Sequence, residues 1–152
     1  MPVTVTVHVA APAATVWELI ADVERWPEWN PACASAAADG DPRAEGTRLR
    51  LQLRHPRGRL FWTAPTVVTA VPTERFGFVT RALGFRAPTD IALDADDEGT
   101  RVTLTSRSTG PLAFSYRLMF PERAQGQLWS GALTGLARHV RGDGGREQTS
   151  RD

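Results

Sequence analysis

The sequence predicts an α+β fold in which a seven-stranded antiparallel sheet wraps around one long C-terminal helix, with two short helices after the first strand. Three observations carry that expectation. Val3, Val5, Val7 and Val9 alternate with Thr4, Thr6 and His8, the period of a strand with one dry face. From about Ala32 to Thr109, short alternating runs recur between turn residues at hairpin-length separations, which favours antiparallel pairing. Leu128, Trp129, Ala132, Leu133, Leu136, Ala137 and Val140 then follow an i, i+1, i+4, i+5, i+8 rule, the apolar stripe of a helix.

Pro12 can open the first helix, because a first-turn proline gives up no N–H that the helix needs. Val16, Leu19, Ile20 and Val23 supply its buried face, and a second short helical piece over 24–29 stops at Asn30-Pro31. Leu49, Leu51 and Leu53 alternate with arginines and Gln52 to give a strand with one wet face. His55-Pro56-Arg57-Gly58-Arg59-Leu60 reads as a tight hairpin, with Gly58 supplying the permissive backbone. With Arg57-Gly58 as a two-residue loop, Leu53 faces Trp62 and Leu51 faces Ala64, which turns Trp62 inward. The next strand runs over 60–71, with Pro65 at a point where no ladder N–H is required. Further strands are expected over 75–81, 89–93 and 101–109. Pro121 marks either the first turn of the long helix or a kink from an earlier helical segment over 112–120. Residues 1–141 read as a single domain, and 142–152, with no apolar residue to bury, as a disordered tail.

At 152 residues, 41% of them hydrophobic, the chain is long enough for one self-standing core. Its 18 basic side chains are all arginine, and 17 acidic ones bring the formal charge to +1. Without a lysine there is no Schiff-base chemistry, no lysine general base and no Walker-type phosphate loop. Cys33 is alone, so neither an intrachain disulfide nor a cysteine zinc site can form, and His8, His55 and His139 share no metal-ligand spacing. No metal and no cofactor is expected. The near-neutral charge gives no basic stripe for nucleic acid, and no run approaches the ~18 apolar residues of a membrane span. The N-terminal alternation does not have the layout of a signal peptide. The expectation is a soluble cytoplasmic protein, monomeric or homodimeric, whose partner is a small molecule.

A single helix about 10 Å wide cannot fill the concave side of a strongly twisted sheet. The space left over is either packed with large side chains or stays open as a cavity. Candidates to fill or line it are Trp26, Trp29, Trp62, Phe76, Phe78, Phe114, Tyr116, Phe120 and Trp129.

The stretch Val7-His8-Val9-Ala10-Ala11-Pro12-Ala13-Ala14-Thr15-Val16-Trp17, followed by Ala21-Asp22-Val23-Glu24-Arg25-Trp26-Pro27-Glu28-Trp29-Asn30-Pro31, resembles the opening of the START-related (SRPBCC) helix-grip superfamily. That superfamily includes polyketide cyclase/dehydrase and birch-allergen-like proteins. The order of elements is similar over roughly residues 3–141, as are Pro65-Thr66-Val67, Gly99-Thr100-Arg101-Val102-Thr103 and Thr109-Gly110-Pro111-Leu112. The resemblance implies a deep, largely apolar pocket between sheet and C-terminal helix, holding a lipid, a polyketide or another hydrophobic small molecule. It does not fix the chemistry, because fold does not dictate function. Two departures matter. Aromatase/cyclases of the superfamily carry an Arg in the strand after the hairpin, where this chain has Val67. Many bacterial relatives read Gly-x-His where it has Ala87-Pro88-Thr89.

On this reading the ligand-binding candidates are Trp26, Trp29, Trp62, Phe78, Thr80, Thr89, Ser106, Ser108, Phe120, Trp129 and Leu133. Ser106 and Ser108 continue the parity of Val102 and Leu104, which points their hydroxyls inward to orient a ligand carbonyl or hydroxyl. Trp26 and Trp29, at i and i+3 around a proline, either plug one end of the core or wall the pocket. Candidate catalytic groups are Asp90, Tyr116 and Arg81, able to move a proton or hold a developing charge. Two functions stay open. One is a cofactor-independent cyclase, dehydratase or isomerase of natural-product biosynthesis; the other is a non-catalytic ligand carrier or stress-related binding module. Enzymatic chemistry predicts a buried ionisable pair such as Asp90 or Tyr116 with an arginine, although a shaped pocket with one or two polar groups can suffice to fold a flexible chain. Pure binding predicts no such pair.

Overall fold

The computed structural model of the chain describes residues 3–82, 84–113 and 121–149. β1 (Val3–Val9) leads through Pro12 into α1 (Ala13–Ala21), a 3-10 turn (Val23–Arg25) and the single-turn α2 (Trp26–Trp29). The remaining strands are β2 (Cys33–Ala38), β3 (Leu49–Arg54), β4 (Leu60–Thr63), β5 (Thr66–Val71), β6 (Arg75–Ala82), β7 (Phe85–Asp96) and β8 (Gly99–Ser106). A long helix, α3 (Glu122–Thr149), follows them.

All strand pairs are antiparallel, and the α+β class with one long C-terminal helix holds. The single seven-stranded sheet does not. The strands form a five-stranded sheet, β1-β8-β7-β6-β5, and a three-stranded one, β2-β3-β4. The cause lies at Ala64-Pro65, which breaks the expected strand over 60–71 into β4 and β5. Pro65 has no N–H to donate to a ladder, but its carbonyl accepts from Leu49 N–H at 2.8 Å. Val67 N–H then donates to the Thr47 carbonyl at 2.9 Å. The chain therefore leaves one sheet and begins the other while still hydrogen-bonded to the start of β3, which stitches the two together.

The β3–β4 hairpin also closes differently from the expected register. His55 N–H donates to the Arg59 carbonyl at 2.8 Å, and Gly58 N–H to the His55 carbonyl at 2.7 Å. The loop is thus Pro56-Arg57-Gly58, with Gly58 at φ 98° in the left-handed region that this kind of loop requires. One extra loop residue shifts the pairing by one, so that Leu53 faces Phe61, Leu51 faces Thr63 and Gln52 faces Trp62. The period of two then turns Phe61 and Thr63 to the leucine face and Trp62 outward, where it is 65% exposed.

Under the sheets, Leu49, Val67, Phe76 and Leu104 meet Ile20 of α1 and Leu136 of α3 in one core. α3 lies over β1 and against α2, and Gly135 allows that approach, because a Cβ there would collide with the Trp29 carbonyl. α2 sinks both its tryptophans into this core. Trp26 Nε1–H donates to the Ile20 carbonyl at 2.9 Å and Trp29 Nε1–H to the Leu19 carbonyl at 3.2 Å. The Trp26 ring packs against Phe76 and Phe78, with centroids 6.5 and 6.0 Å apart. One end of the space beneath the sheets is therefore filled with rings.

The apolar stripe of α3 stops at Val140, yet its backbone stays helical to Thr149, past the Arg141 at which the sequence reading ends the domain. Extending an anchored helix needs no new nucleus, so a polar stretch can continue it. The helical segment expected over 112–120 falls mostly on 114–120, outside the described residues, together with Phe114, Tyr116 and Phe120.

Candidate functional site: a cavity between the sheets and the long helix

The other end of that space is open. Inner-face parity brings Leu51 and Leu53 of β3, Phe61 and Thr63 of β4, Phe78 and Thr80 of β6, and Phe85, Ala87 and Thr89 of β7 around a cavity of about 300 Å³. Ser106, at the end of β8, and Leu128 and Trp129 of α3 complete its wall. The ring of Trp129 packs against Phe78 at 6.3 Å, and Phe78 against Trp26, so the filled and open ends share a wall of aromatic side chains.

The polar groups in this wall are mostly hydroxyls. Thr89 and Ser106 sit opposite each other in the β7–β8 register, both buried, with their oxygens 3.0 Å apart. When one donates to the other, the acceptor keeps its own O–H free for a third group. Thr63 Oγ1 is buried and, among the described residues, has no hydrogen-bond partner. Among the described residues that line the cavity one is charged, Arg81, and its side chain is exposed, on the parity opposite to Phe78 and Thr80.

The candidate residues from the sequence divide clearly. Phe78, Thr80, Thr89, Ser106 and Trp129 line the cavity, and Trp62 touches its edge from the outer face of β4 rather than from within. Trp26, Trp29 and Leu133 are core residues away from the cavity, and Ser108 lies past the end of β8 and outside its lining. Phe120 and Tyr116 are outside the described residues. Asp90 is on the outer face of β7, opposite in parity to Thr89, where its carboxylate meets Arg75 at 3.3 Å. Burial raises its pKa and Arg75 lowers it, burial having the larger effect. Arg81 therefore touches the cavity lining, Asp90 does not, and the two do not come together there. Phe61, Thr63 and Phe85 were missed; a three-residue reading of the hairpin loop would have found the first two.

Cys33, at the start of β2, is buried and has its thiol held in the protonated form. Burial pushes its thiol up to about 11, partly opposed by backbone hydrogen bonding at Ser35.

The polyketide cyclase/dehydrase and lipid transport family matches residues 2–141, which spans every strand and the apolar part of α3. The chain belongs to that family. No curated protein matches it. Among solved structures, a protein of Thermus thermophilus is similar, with 20% identity, a TM-score of 0.74, and coverage of 94% of this chain and 99% of that one. A START superfamily protein from Mycobacterium smegmatis shares 21% identity at a TM-score of 0.62, over 93% of this chain and 95% of its own. The di-domain ARO/CYC StfQ of the steffimycin biosynthetic pathway shares 14% at a TM-score of 0.74, over 95% of this chain. This chain spans about half, 52%, of StfQ. At these identities the likeness establishes a shared helix-grip fold and leaves the ligand to the site itself. Among the described residues, no helix of this member is long and apolar enough to cross a membrane.

Proposed function

We propose that the protein binds a hydrophobic small molecule, polyketide- or lipid-like, in the cavity between its sheets and α3, and acts as a carrier for it. The observation that supports this is the cavity itself. About 300 Å³ of space, walled by Phe61, Phe78, Phe85, Trp129 and leucines, is in the range of small-molecule sites. Its Thr80, Thr89 and Ser106 hydroxyls suit the orientation of a carbonyl or hydroxyl on the ligand. Acid–base catalysis needs a group that titrates beside the substrate. The described lining offers only Arg81, which does not deprotonate in proteins. The second reading is a cyclase, dehydratase or isomerase that works by folding a flexible chain into a reactive shape. The cyclase/dehydrase description of the family favours it.

The test is native mass spectrometry of protein purified from its own host, followed by denaturing extraction of whatever is bound. A retained hydrophobic molecule supports the carrier reading. Conversion of that molecule by wild type, lost in Trp129→Ala, moves the assignment to catalysis. A protein that emerges empty and binds no added apolar probe overturns both.

A further inference from the structure

Among the described residues that line the cavity, Thr63 is the one whose buried hydroxyl has no hydrogen-bond partner. The pairing of β4 places it there. Thr63 faces Leu51 across the hairpin, on the same face as Phe61, two residues before Pro65 takes the chain to the other sheet. A buried hydroxyl without a partner is a cost to the folded chain, and native interiors rarely leave one. The other buried hydroxyls of the wall avoid that cost, since Thr89 and Ser106 bond each other at 3.0 Å. They cannot serve Thr63 as well. Thr63 belongs to the three-stranded sheet, whereas their pair lies in the five-stranded one, beyond β5 and β6 from the crossing at Pro65. The cavity therefore has two hydroxyl stations at separate places on its wall, with Phe61, Phe78, Phe85 and Trp129 around them. A change of χ1 rotamer can turn the Thr63 hydroxyl to a molecule in the cavity.

We infer that Thr63 is a binding residue of this cavity and that its ligand carries neutral oxygens at two places on an apolar frame. One oxygen takes the spare O–H of the Thr89–Ser106 pair. The other, a carbonyl or a hydroxyl, is held by Thr63. The inference rests on the cavity reading above and narrows it from any hydrophobic molecule to a compact, doubly oxygenated one. An acyl chain with a single polar head leaves one station empty. The energetics follow from what folding has already done to Thr63. Its hydroxyl is stripped of water and unsatisfied, so a ligand oxygen that meets it adds a hydrogen bond with no further desolvation of the protein partner. The ligand oxygens are neutral because hydroxyls give an ionised group no counter-charge for its lost hydration.

A series of ring compounds separates the two stations. Naphthalene, 2-naphthol and the 1,5-, 2,6- and 2,7-dihydroxynaphthalenes share one frame and differ in the number and spacing of their oxygens. At least one diol is expected to bind about fivefold more tightly than 2-naphthol, the scale of one neutral hydrogen bond. Thr63→Val, which keeps the branched shape and removes the hydroxyl, should abolish that gain and leave the ratio of 2-naphthol to naphthalene unchanged. Thr63→Ser should keep the gain. Thermal unfolding supplies a readout that a merely structural role would move the other way. Without ligand, Thr63→Val should melt no lower than wild type, because the hydroxyl it removes has no partner in the fold. A diol series that never exceeds 2-naphthol, or a gain that survives Thr63→Val because Thr80 takes the second oxygen, would overturn the inference and leave the cavity reading intact. So would a lowered melting temperature of ligand-free Thr63→Val. Failure of every compound to bind would remove the cavity reading, and this inference with it.

Discussion

Leu53 on β3 faces Phe61 on β4, and that one pairing decides which aromatic of the hairpin enters the cavity. The neighbouring Trp62 pairs with Gln52 instead and points outward. Phe61→Ala is therefore expected to lower stability by about 1–3 kcal/mol and to weaken binding of an apolar probe. Trp62→Ala should change stability by no more than about 0.5 kcal/mol, as for an exposed side chain away from special features. Urea unfolding of the two variants reads this directly. A reversed order would mean that the hairpin closes with a two-residue loop.

The fold was legible because its signals are periodic and redundant. Valines alternating along β1 and leucines along β3 fix which faces are dry, and the stripe from Leu128 to Val140 fixes one helix. A single residue of loop length has no such redundancy, since Gly58 serves a two- or a three-residue loop equally well. The candidate site suffered from a different conflict. Thr89 and Asp90 are adjacent on one strand, as are Thr80 and Arg81, and neighbours on a strand cannot share a face. Choosing residues for their chemistry placed both members of each pair in the site; the pleat allows one. Thr89 and Thr80 took the inner positions, and this sends Asp90 and Arg81 to the other face.

Asp90→Asn separates the cavity from the outer face by experiment. Because Asp90 meets Arg75 outside the cavity, the substitution is expected to leave the affinity for a neutral apolar probe unchanged. A half-exposed ion pair of this kind contributes at most about 1 kcal/mol. A large loss of probe binding, measured by fluorescence titration, would return Asp90 to the site.

The Thr89–Ser106 pair makes a sharper energetic claim. Removing one hydroxyl, as in Ser106→Ala, leaves its buried partner unsatisfied and should cost about 1–3 kcal/mol. Removing both, in Thr89→Val/Ser106→Ala, should cost less than the sum of the two single changes. The double-mutant cycle in urea checks the coupling, and strict additivity would mean the two hydroxyls do not bond each other. The double variant should also lose part of its preference for a naphthol over naphthalene, because the spare O–H of the pair is gone while those of Thr63 and Thr80 remain.

Cys33 gives the protein a pH dependence whose sign can be worked out. Its thiol is pushed up from 9.0 to about 11 in the folded chain, with burial as the main cause. Below pH 9 the thiol is protonated both folded and unfolded, and its contribution to stability is fully present. Between pH 9 and about 11 the unfolded chain gives up the proton while the folded chain keeps it, so unfolding becomes progressively easier. Cys33→Ala removes that term along with a little packing. The urea midpoint of wild type should therefore fall more between pH 8 and pH 10.5 than that of the variant, and the difference between the two slopes isolates the thiol from every other titrating group. In the same pH range the native thiol should react slowly with a disulfide reagent, because the buried thiolate is scarce. Equal slopes, together with rapid labelling of the folded protein at pH 8, would mean that β2 opens far enough to hydrate Cys33 and that the wall beside α2 is looser than the packing of Trp26 and Trp29 implies.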